Sequence, residues 1–340
     1  MATVFELSEP YRNHLVPIVP RGRGVCTVCW TAVEPTFSLC YQCNIARSTF
    51  SRRRLANVVV PIALAVKREQ LAHELWHYKY DTDATVRTRL ETRLAAVLWR
   101  FLGEHESHIA AAVDVAGFDV VTTVPGTRQR DDEHPLVRIV GSTVGQTRDR
   151  YERLLKLGPS TAGDSRAVLL DRYHPTRELP DHTSVLLIDD TWTRGGRAQS
   201  AVLALRDAGA ATVAVAVMGR HFDRTFGAGE AYYQQARRRK FMWEQCCLEY
   251  RTDETPPELC GCCARSGGPY CWSIPPGGAV REAGVVMRHC AGCWSPNRSR
   301  HPRVLCRPMA QATIADLLHR CLGAPPLPLA NLAERAGVRL

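Results

Sequence analysis

Residues 185–199 read VLLIDDTWTRGGRAQ, and this stretch decides the fold predicted for the 340-residue chain. Four apolar residues run directly into two carboxylates, Asp189 and Asp190, and Gly195 and Gly196 then precede a run typical of a helix at 197–208. The pattern predicts a buried strand, a polar loop and the start of a helix. A strand that is apolar throughout favours a parallel sheet covered on both faces, in which ligands bind at the carboxyl ends of the strands.

The same loop indicates the chemistry of a ligand. Glycines allow the backbone to approach a ligand closely, and the N-terminus of the following helix favours an anion. Two adjacent carboxylates can accept hydrogen bonds from a diol. The loop therefore favours a sugar phosphate, and the alternative is an Asp-rich turn that caps an ordinary helix.

This stretch resembles the motif that binds phosphoribosyl pyrophosphate in type I phosphoribosyltransferases, where an apolar strand is followed by two acids, a variable pair and Thr-Thr-Gly-Ala-Thr. The acids, the first threonine and the glycine match, whereas arginines at 194 and 197 replace two threonines. An arginine can also bind phosphate, through its planar fork of donors. The resemblance implies that Asp189 and Asp190 hold the ribose hydroxyls. The further ligand-binding residues that it implies are Thr191, Thr193, Arg194, Gly195, Gly196 and Arg197.

Other apolar segments predict the rest of an α/β fold. Residues 118–124, 167–173 and 211–218 read as strands, and Pro61 within 56–66 favours an edge strand or a bend. Helical spacing predicts a long helix after Thr82 or Asp83 and shorter helices at 134–141 and 232–243. Strands that alternate with helices are typical of a parallel sheet.

A candidate pyrophosphate loop follows the strand at 118–124 and consists of Pro125, Gly126, Thr127 and Arg128. A compact loop with exposed N–H groups and an arginine can cradle pyrophosphate, and a plain Pro-Gly turn is the alternative. Residues 219–229 are predicted to form a loop, either a lid over the site or a surface loop. His73, His77 and Lys79 are interpreted as ordinary surface or core groups.

The 14 cysteines fall at the two ends of the chain. The first group has the spacing Cys26-x2-Cys29-x10-Cys40-x2-Cys43, which lets four thiolates converge on one structural zinc ion. Cysteines and histidines between 260 and 306 have irregular spacing among Gly, Pro and Ser. They leave two interpretations open, a second zinc module or a poorly ordered tail.

A four-cysteine module, a segment ending in Tyr78-Lys79-Tyr80, a Val-Pro loop and the Asp-Asp motif, in that order, resemble the competence-protein-F branch of the type I phosphoribosyltransferases. The resemblance covers residues 20–245. It implies a zinc module at 20–55 and a phosphoribosyltransferase-like domain at 56–245, and it ends before the Cys-rich tail at 246–340. It also implies Mg2+ and transfer of the phosphoribosyl group to or from an amine or base. The alternative is a module that only binds the ligand, or a nucleic-acid scaffold for DNA uptake.

Charge and hydropathy limit the partners. The formal net charge of +10 fits polyphosphates or nucleic acid, and the basic run at 52–54 beside the cysteine module is either a nucleic-acid contact or a solvated face. No apolar run approaches a membrane span, and the N-terminus lacks the pattern of a signal peptide, so a cytoplasmic protein is expected. The oligomeric state stays open, a homo-oligomer included.

Overall fold

A computed structural model describes residues 3–126, 134–159 and 167–249, which all belong to one compact unit, Met1–Thr252. Thr127 and Arg128 of the candidate pyrophosphate loop lie outside the described residues, as does the tail from residue 250 onward. The strands in these ranges are β1 Val58–Val66, β2 Val120–Thr123, β3 Leu155–Leu157, β4 Tyr173–Pro175, β5 Ser184–Trp192 and β6 Thr212–Phe222. The α-helices are α1 Val4–Ser8, α2 Tyr41–Thr49, α3 Gln70–Tyr80, α4 Ala84–Ala111, α5 Pro135–Arg138, α6 Gly145–Arg148, α7 Gly196–Asp207 and α8 Gly229–Arg237.

A parallel sheet in the order β1-β6-β5-β2 forms the centre of the fold, which confirms the predicted mixed α/β class. In the register of β2 and β5, Thr123 lies opposite Ile188. The residues that follow both strands therefore emerge at the same edge of the sheet. The edge position of β1 agrees with the prediction from Pro61, because an edge strand tolerates a residue that lacks a backbone donor.

The sheet is covered on both faces, as its apolar strands require. Leu186 and Ile188 of β5 pack in a cluster with α3 and α4, whereas Val185 and Leu187 pack in a second cluster with α7 and the cysteine module. Side chains alternate between the two faces of a strand, so every residue from 185 to 188 is buried.

The long helix predicted after Thr82 or Asp83 is present as α4, and Asp83 is its N-cap, accepting a hydrogen bond from the Thr85 N–H at 2.7 Å. None of the helices in the described ranges combines the length and the apolarity needed to cross a bilayer.

The strand predicted at 167–173 is wrong. Residues Leu170–Arg172 form a 3-10 helix, and Tyr173 begins β4, which pairs antiparallel with β3 instead of joining the main sheet. The reason lies at the outer edge of β2, where the backbone of Val121 already bonds with Arg150 and Glu152. That edge is therefore occupied by the segment around Tyr151.

The loop predicted at 219–229 is wrong in its first part. Strand β6 continues to Phe222 and includes Arg220, whose side chain is buried. The arginine is stable there because its guanidinium donates to backbone carbonyls on three sides, an arrangement that hydrophobic periodicity does not reveal.

Candidate functional site

The site begins with the two carboxylates at the carboxyl end of β5. Asp190 lies on the same face of the strand as Leu186 and Ile188, the face that α3 covers. Its side chain is buried, whereas Asp189 is half-buried. The alternation of the strand thus gives two neighbouring acids different surroundings.

Asp190 is held by the last turn of α3. Its Oδ2 accepts hydrogen bonds from the Tyr78 hydroxyl at 2.5 Å and from Lys79 Nζ at 2.6 Å. Burial alone would raise the pKa of Asp190, but the Lys79 charge and these two hydrogen bonds outweigh burial and lower it. For Lys79, burial opposes the charged form, yet Asp190 holds the pKa of the ammonium above its ordinary value. Asp190 and Lys79 therefore form a buried ion pair.

Asp189 behaves in the opposite way. Burial, together with the charge of Asp190, raises the pKa of Asp189 to about 7. Its Oδ1 accepts a hydrogen bond from the Asp190 N–H at 2.9 Å. Near neutral pH this carboxyl is poised between its protonated and ionised forms, a property common in functional carboxyls.

A tight loop joins β5 to α7. Gly195 is the N-cap of α7 and has φ +80°, in the left-handed region, and a Cβ at this position would come 2.2 Å from the ring of Trp192. The cap residue has no side chain to satisfy the first N–H groups of the helix. The N-terminus of this 12-residue helix consequently presents partial positive charge to the loop.

One open cavity of about 760 Å³ brings the carboxylates and this loop together. Of the candidate residues, those that line the cavity are Asp189, Asp190, Thr191, Thr193, Arg194, Gly195, Gly196 and Arg197. The cavity is within the size range of small-molecule sites. Pro125 and Gly126 do not line it. The Pro125 carbonyl instead accepts a hydrogen bond from the Tyr173 hydroxyl at 3.3 Å.

Basic residues from another part of the chain complete the wall. The turn between β1 and α3, the helix α3 and the end of β6 contribute Lys67, Arg68, His73, His77, Lys79 and His221. The interpretation of His73, His77 and Lys79 as ordinary groups missed their place in this cavity. His77 also has a structural partner, Asp81, at 2.8 Å.

Sequence offered one signal for these residues, the Tyr78-Lys79-Tyr80 segment. It could not reveal the partner, because Lys79 and Asp190 are 111 residues apart in the chain. The packing of α3 over β1 and β6 brings them together.

The four-cysteine cluster is assembled by two turns. A bond from the Trp30 N–H to the Cys26 carbonyl closes the first, and Cys40 is the N-cap of α2, with Cys43 in its first turn. All four sulfur atoms lie within 4.8 Å of one another, and Cys29 and Cys40 Sγ are 3.6 Å apart. Tetrahedral zinc with Zn–S bonds of about 2.3 Å would place its sulfurs about 3.8 Å apart. The cluster can therefore hold a structural metal such as zinc.

Arg220 connects this cluster to the ligand loop. Its guanidinium donates to the Cys29 carbonyl at 2.9 Å and to the Trp192 and Thr193 carbonyls at 3.0 Å each. A further contact joins it to Cys29 Sγ at 3.6 Å. One buried side chain thus ties the metal cluster to the backbone that bounds the cavity.

Comparison of the sequence with protein-family models and with curated proteins gives no match. The function is therefore inferred from the chemistry of the cavity.

Proposed function

We propose that this cavity binds phosphoribosyl pyrophosphate with Mg2+, in a fold like that of the type I phosphoribosyltransferases. The activity proposed is transfer of the phosphoribosyl group to or from an amine or a base. The single observation that supports this most is the convergence on one cavity of a strand-end acid pair and a glycine-led helix N-terminus. A diol acceptor next to an anion cradle matches a sugar phosphate.

Each part of the ligand has a counterpart in the cavity. Backbone N–H groups at the start of α7, with Arg194 and Arg197, would bind the 5-phosphate. Arg68 also lines the cavity, together with Lys67 and Lys79, which are paired with Asp223 and Asp190, and these cations would bind the pyrophosphate group. They offer an anion site in place of the predicted loop at 125–128, whose described residues lie away from the cavity.

The two acids would have different roles in this proposal. Asp190 is already paired with Lys79 and Tyr78, so it orients these two side chains. Asp189 is then the carboxylate that would accept the ribose hydroxyls. It would also offset positive charge that develops on the sugar as its bond to pyrophosphate breaks. Mg2+, when bound, would neutralise the leaving pyrophosphate, and Asp189 is the cavity carboxylate best placed to help hold it.

A non-catalytic role at nucleic acid is a second candidate, and one observation favours it. A second cavity, of about 780 Å³, adjoins the cysteine cluster and is lined by Cys43 and by Arg21, Arg47, Arg52 and Arg53. Clustered arginines beside a zinc module are suited to phosphate backbones.

Calorimetric titration of the full chain with phosphoribosyl pyrophosphate and Mg2+, at pH 8, tests the first proposal. We expect saturable binding that weakens at least tenfold in Asp189→Asn, because the amide replaces the charged acceptor. Asp181→Asn is the matched control, since Asp181 is exposed and does not line the cavity, and it should bind as the unaltered chain does. Equal affinity in all three proteins would overturn the assignment.

Pyrophosphate release with a panel of amines and bases then separates catalysis from binding. Release with any acceptor, lost in Asp189→Asn, supports the transferase. Tight binding with no release across the panel supports a sensor. Salt-dependent DNA binding that falls in an Arg52→Gln, Arg53→Gln double variant supports the nucleic-acid role.

A further inference from the structure

A second group of metal-ligand side chains lies where the end of the described chain meets α4. His105 and His108 are one turn apart on α4, and Cys246 and Glu249 lie in a turn closed by the Glu249 N–H bonding to the Cys246 carbonyl at 3.1 Å. One candidate ligand atom from each side chain lies within 4.8 Å of the other three. None of these side chains lines the cavity at Asp189.

The orientation of His105 is fixed by a backbone contact. Its Nε2 lies 2.6 Å from the Trp243 carbonyl oxygen, and because a carbonyl only accepts, this nitrogen must carry the hydrogen. In the neutral ring, the lone pair is then on Nδ1. That atom lies 3.2 Å from His108 Nδ1 and 3.4 Å from Glu249 Oε2. A histidine that donates its other N–H to a carbonyl has the usual arrangement of a metal ligand.

The spacing of the ligand atoms suits a small tetrahedral cation. Zinc bonds of about 2.0–2.1 Å to nitrogen and oxygen separate tetrahedral ligands by about 3.3 Å. The two histidine nitrogens, at 3.2 Å, and the pair His105 Nδ1 and Glu249 Oε2, at 3.4 Å, match this separation. His108 Nδ1 and Glu249 Oε1 are closer, at 2.9 Å, as expected while they bond directly to each other.

We propose that His105, His108, Cys246 and Glu249 bind a zinc-type divalent cation, separate from the four-cysteine site. Two imidazoles, a thiolate and a carboxylate form a ligand set typical of zinc. Four protein ligands leave no open position, so the site is structural. It clamps the 246–249 turn onto the C-terminal part of α4, where His105 and Cys246 are already buried.

Metal titration of the reduced, metal-free full chain with Co2+ and then Zn2+ tests the site. We expect His108→Gln to bind one equivalent less than the unaltered chain. The cobalt spectrum should lose its component with mixed nitrogen, sulfur and oxygen ligands, and the component from four thiolates should remain. The His108 side chain is 43% exposed, so its replacement costs little packing. Cysteines elsewhere in the chain are the same in both proteins, so the difference isolates this site.

His14→Gln is the matched control, because His14 is also exposed but is not one of the four candidate ligands. It should bind the full number of equivalents. Glu249→Gln keeps the size of the side chain and should weaken the same equivalent at least tenfold. An identical cobalt spectrum and stoichiometry in His108→Gln and the unaltered chain would overturn the proposal, leaving only a His108–Glu249 ion pair. Equal losses in His108→Gln and His14→Gln would overturn it as well.

Discussion

At the scale of single residues, Asp189 and Asp190 show how position in a strand separates two identical side chains. Asp190 faces α3 and is ionised in a buried pair with Lys79, whereas Asp189 has its pKa raised to about 7 by burial and by the neighbouring charge. Sequence could identify the two acids, but it could not predict that their pKa values shift in opposite directions. The Lys79 and Tyr78 side chains that cause it come from a distant helix.

Asp189 should make the fold less stable as the pH rises. Its folded pKa is raised, so the folded chain binds a proton more tightly than the unfolded chain. This contribution is fully present below the unfolded pKa near 4 and is lost as the pH rises through about 7. Asp189→Asn should therefore be more stable than the unaltered chain by about 1–2 kcal/mol at pH 8, and nearly equal at pH 4. Urea unfolding at both pH values measures this, with Asp181→Asn as the control that should show no such gain.

Lys79→Met should destabilise the fold by about 3–5 kcal/mol at neutral pH, because it leaves Asp190 as a buried carboxylate without its cation. Adding Asp190→Asn should recover part of the loss, since the uncompensated charge is then gone. Urea unfolding of the single and double variants gives the coupling energy. Strict additivity of the two single effects would mean that the ion pair does not exist in solution.

At the scale of elements, the tight loop that connects β5 to α7 depends on Gly195. Gly195→Ala should cost about 2–4 kcal/mol, because an L residue is strained at φ +80° and its Cβ would meet the Trp192 ring. Gly227→Ala provides a matched control, with φ +53° and no atom within 4 Å of the new Cβ. The control should lose only about 1 kcal/mol, the cost of the left-handed conformation alone. Thermal unfolding of both variants measures the difference, and equal losses would contradict the close approach of Trp192.

Arg220→Lys tests the connection between the cysteine cluster and the ligand loop. A lysine keeps the charge, but its compact ammonium lacks the planar fork whose separate nitrogens reach the Cys29 carbonyl and the Trp192 and Thr193 carbonyls. We expect lower stability, by about 2–4 kcal/mol, since buried carbonyls lose donors. We also expect weaker phosphoribosyl pyrophosphate binding, although Arg220 does not line the cavity. Arg194→Lys, on the exposed side of the loop, is the comparison that should lose binding without losing stability.

At the scale of the whole molecule, the parallel sheet was predictable because each central strand is a continuous apolar run in the sequence. The runs at 185–188 and 213–218 are apolar on both faces, and they are buried on both faces. The strand predicted at 167–173 does not join this sheet, and the outer edge of β2 is instead paired with a polar segment around Tyr151. A run of apolar residues predicts a buried segment, but it does not show whether the edge of a sheet is available for that segment to pair with.

The candidate site was predictable only where its residues are consecutive. The acid pair and the loop to Arg197 belong to one stretch of sequence and line one cavity. The spacing of the four cysteines predicts that their sulfur atoms converge. The basic residues that the β1–α3 turn, α3 and β6 contribute to the cavity depend on long-range packing, as does the contact of α4 with the 246–249 turn. Sequence predicts a loop at Arg220 for the same reason, since the Cys29 and Trp192 carbonyls that accept its hydrogen bonds are distant in the chain.

The hydrogen bonds of Arg220 between the cysteine cluster and the ligand loop limit how this chain can be truncated or its parts moved into another protein. Arg220 and Cys29 are 191 residues apart in the chain. Two further bonds hold the cysteine turn, one from Trp30 Nε1 to the Val59 carbonyl at 2.8 Å and one from the Tyr232 hydroxyl to the Trp30 carbonyl. A shortened chain that begins at residue 56 would take the Cys29 carbonyl away from the Arg220 guanidinium and uncover the apolar residues of the sheet that pack against the cysteine module. The residues before 56 are therefore an integral part of the packed fold. A design that moves the ligand loop into another scaffold must include them.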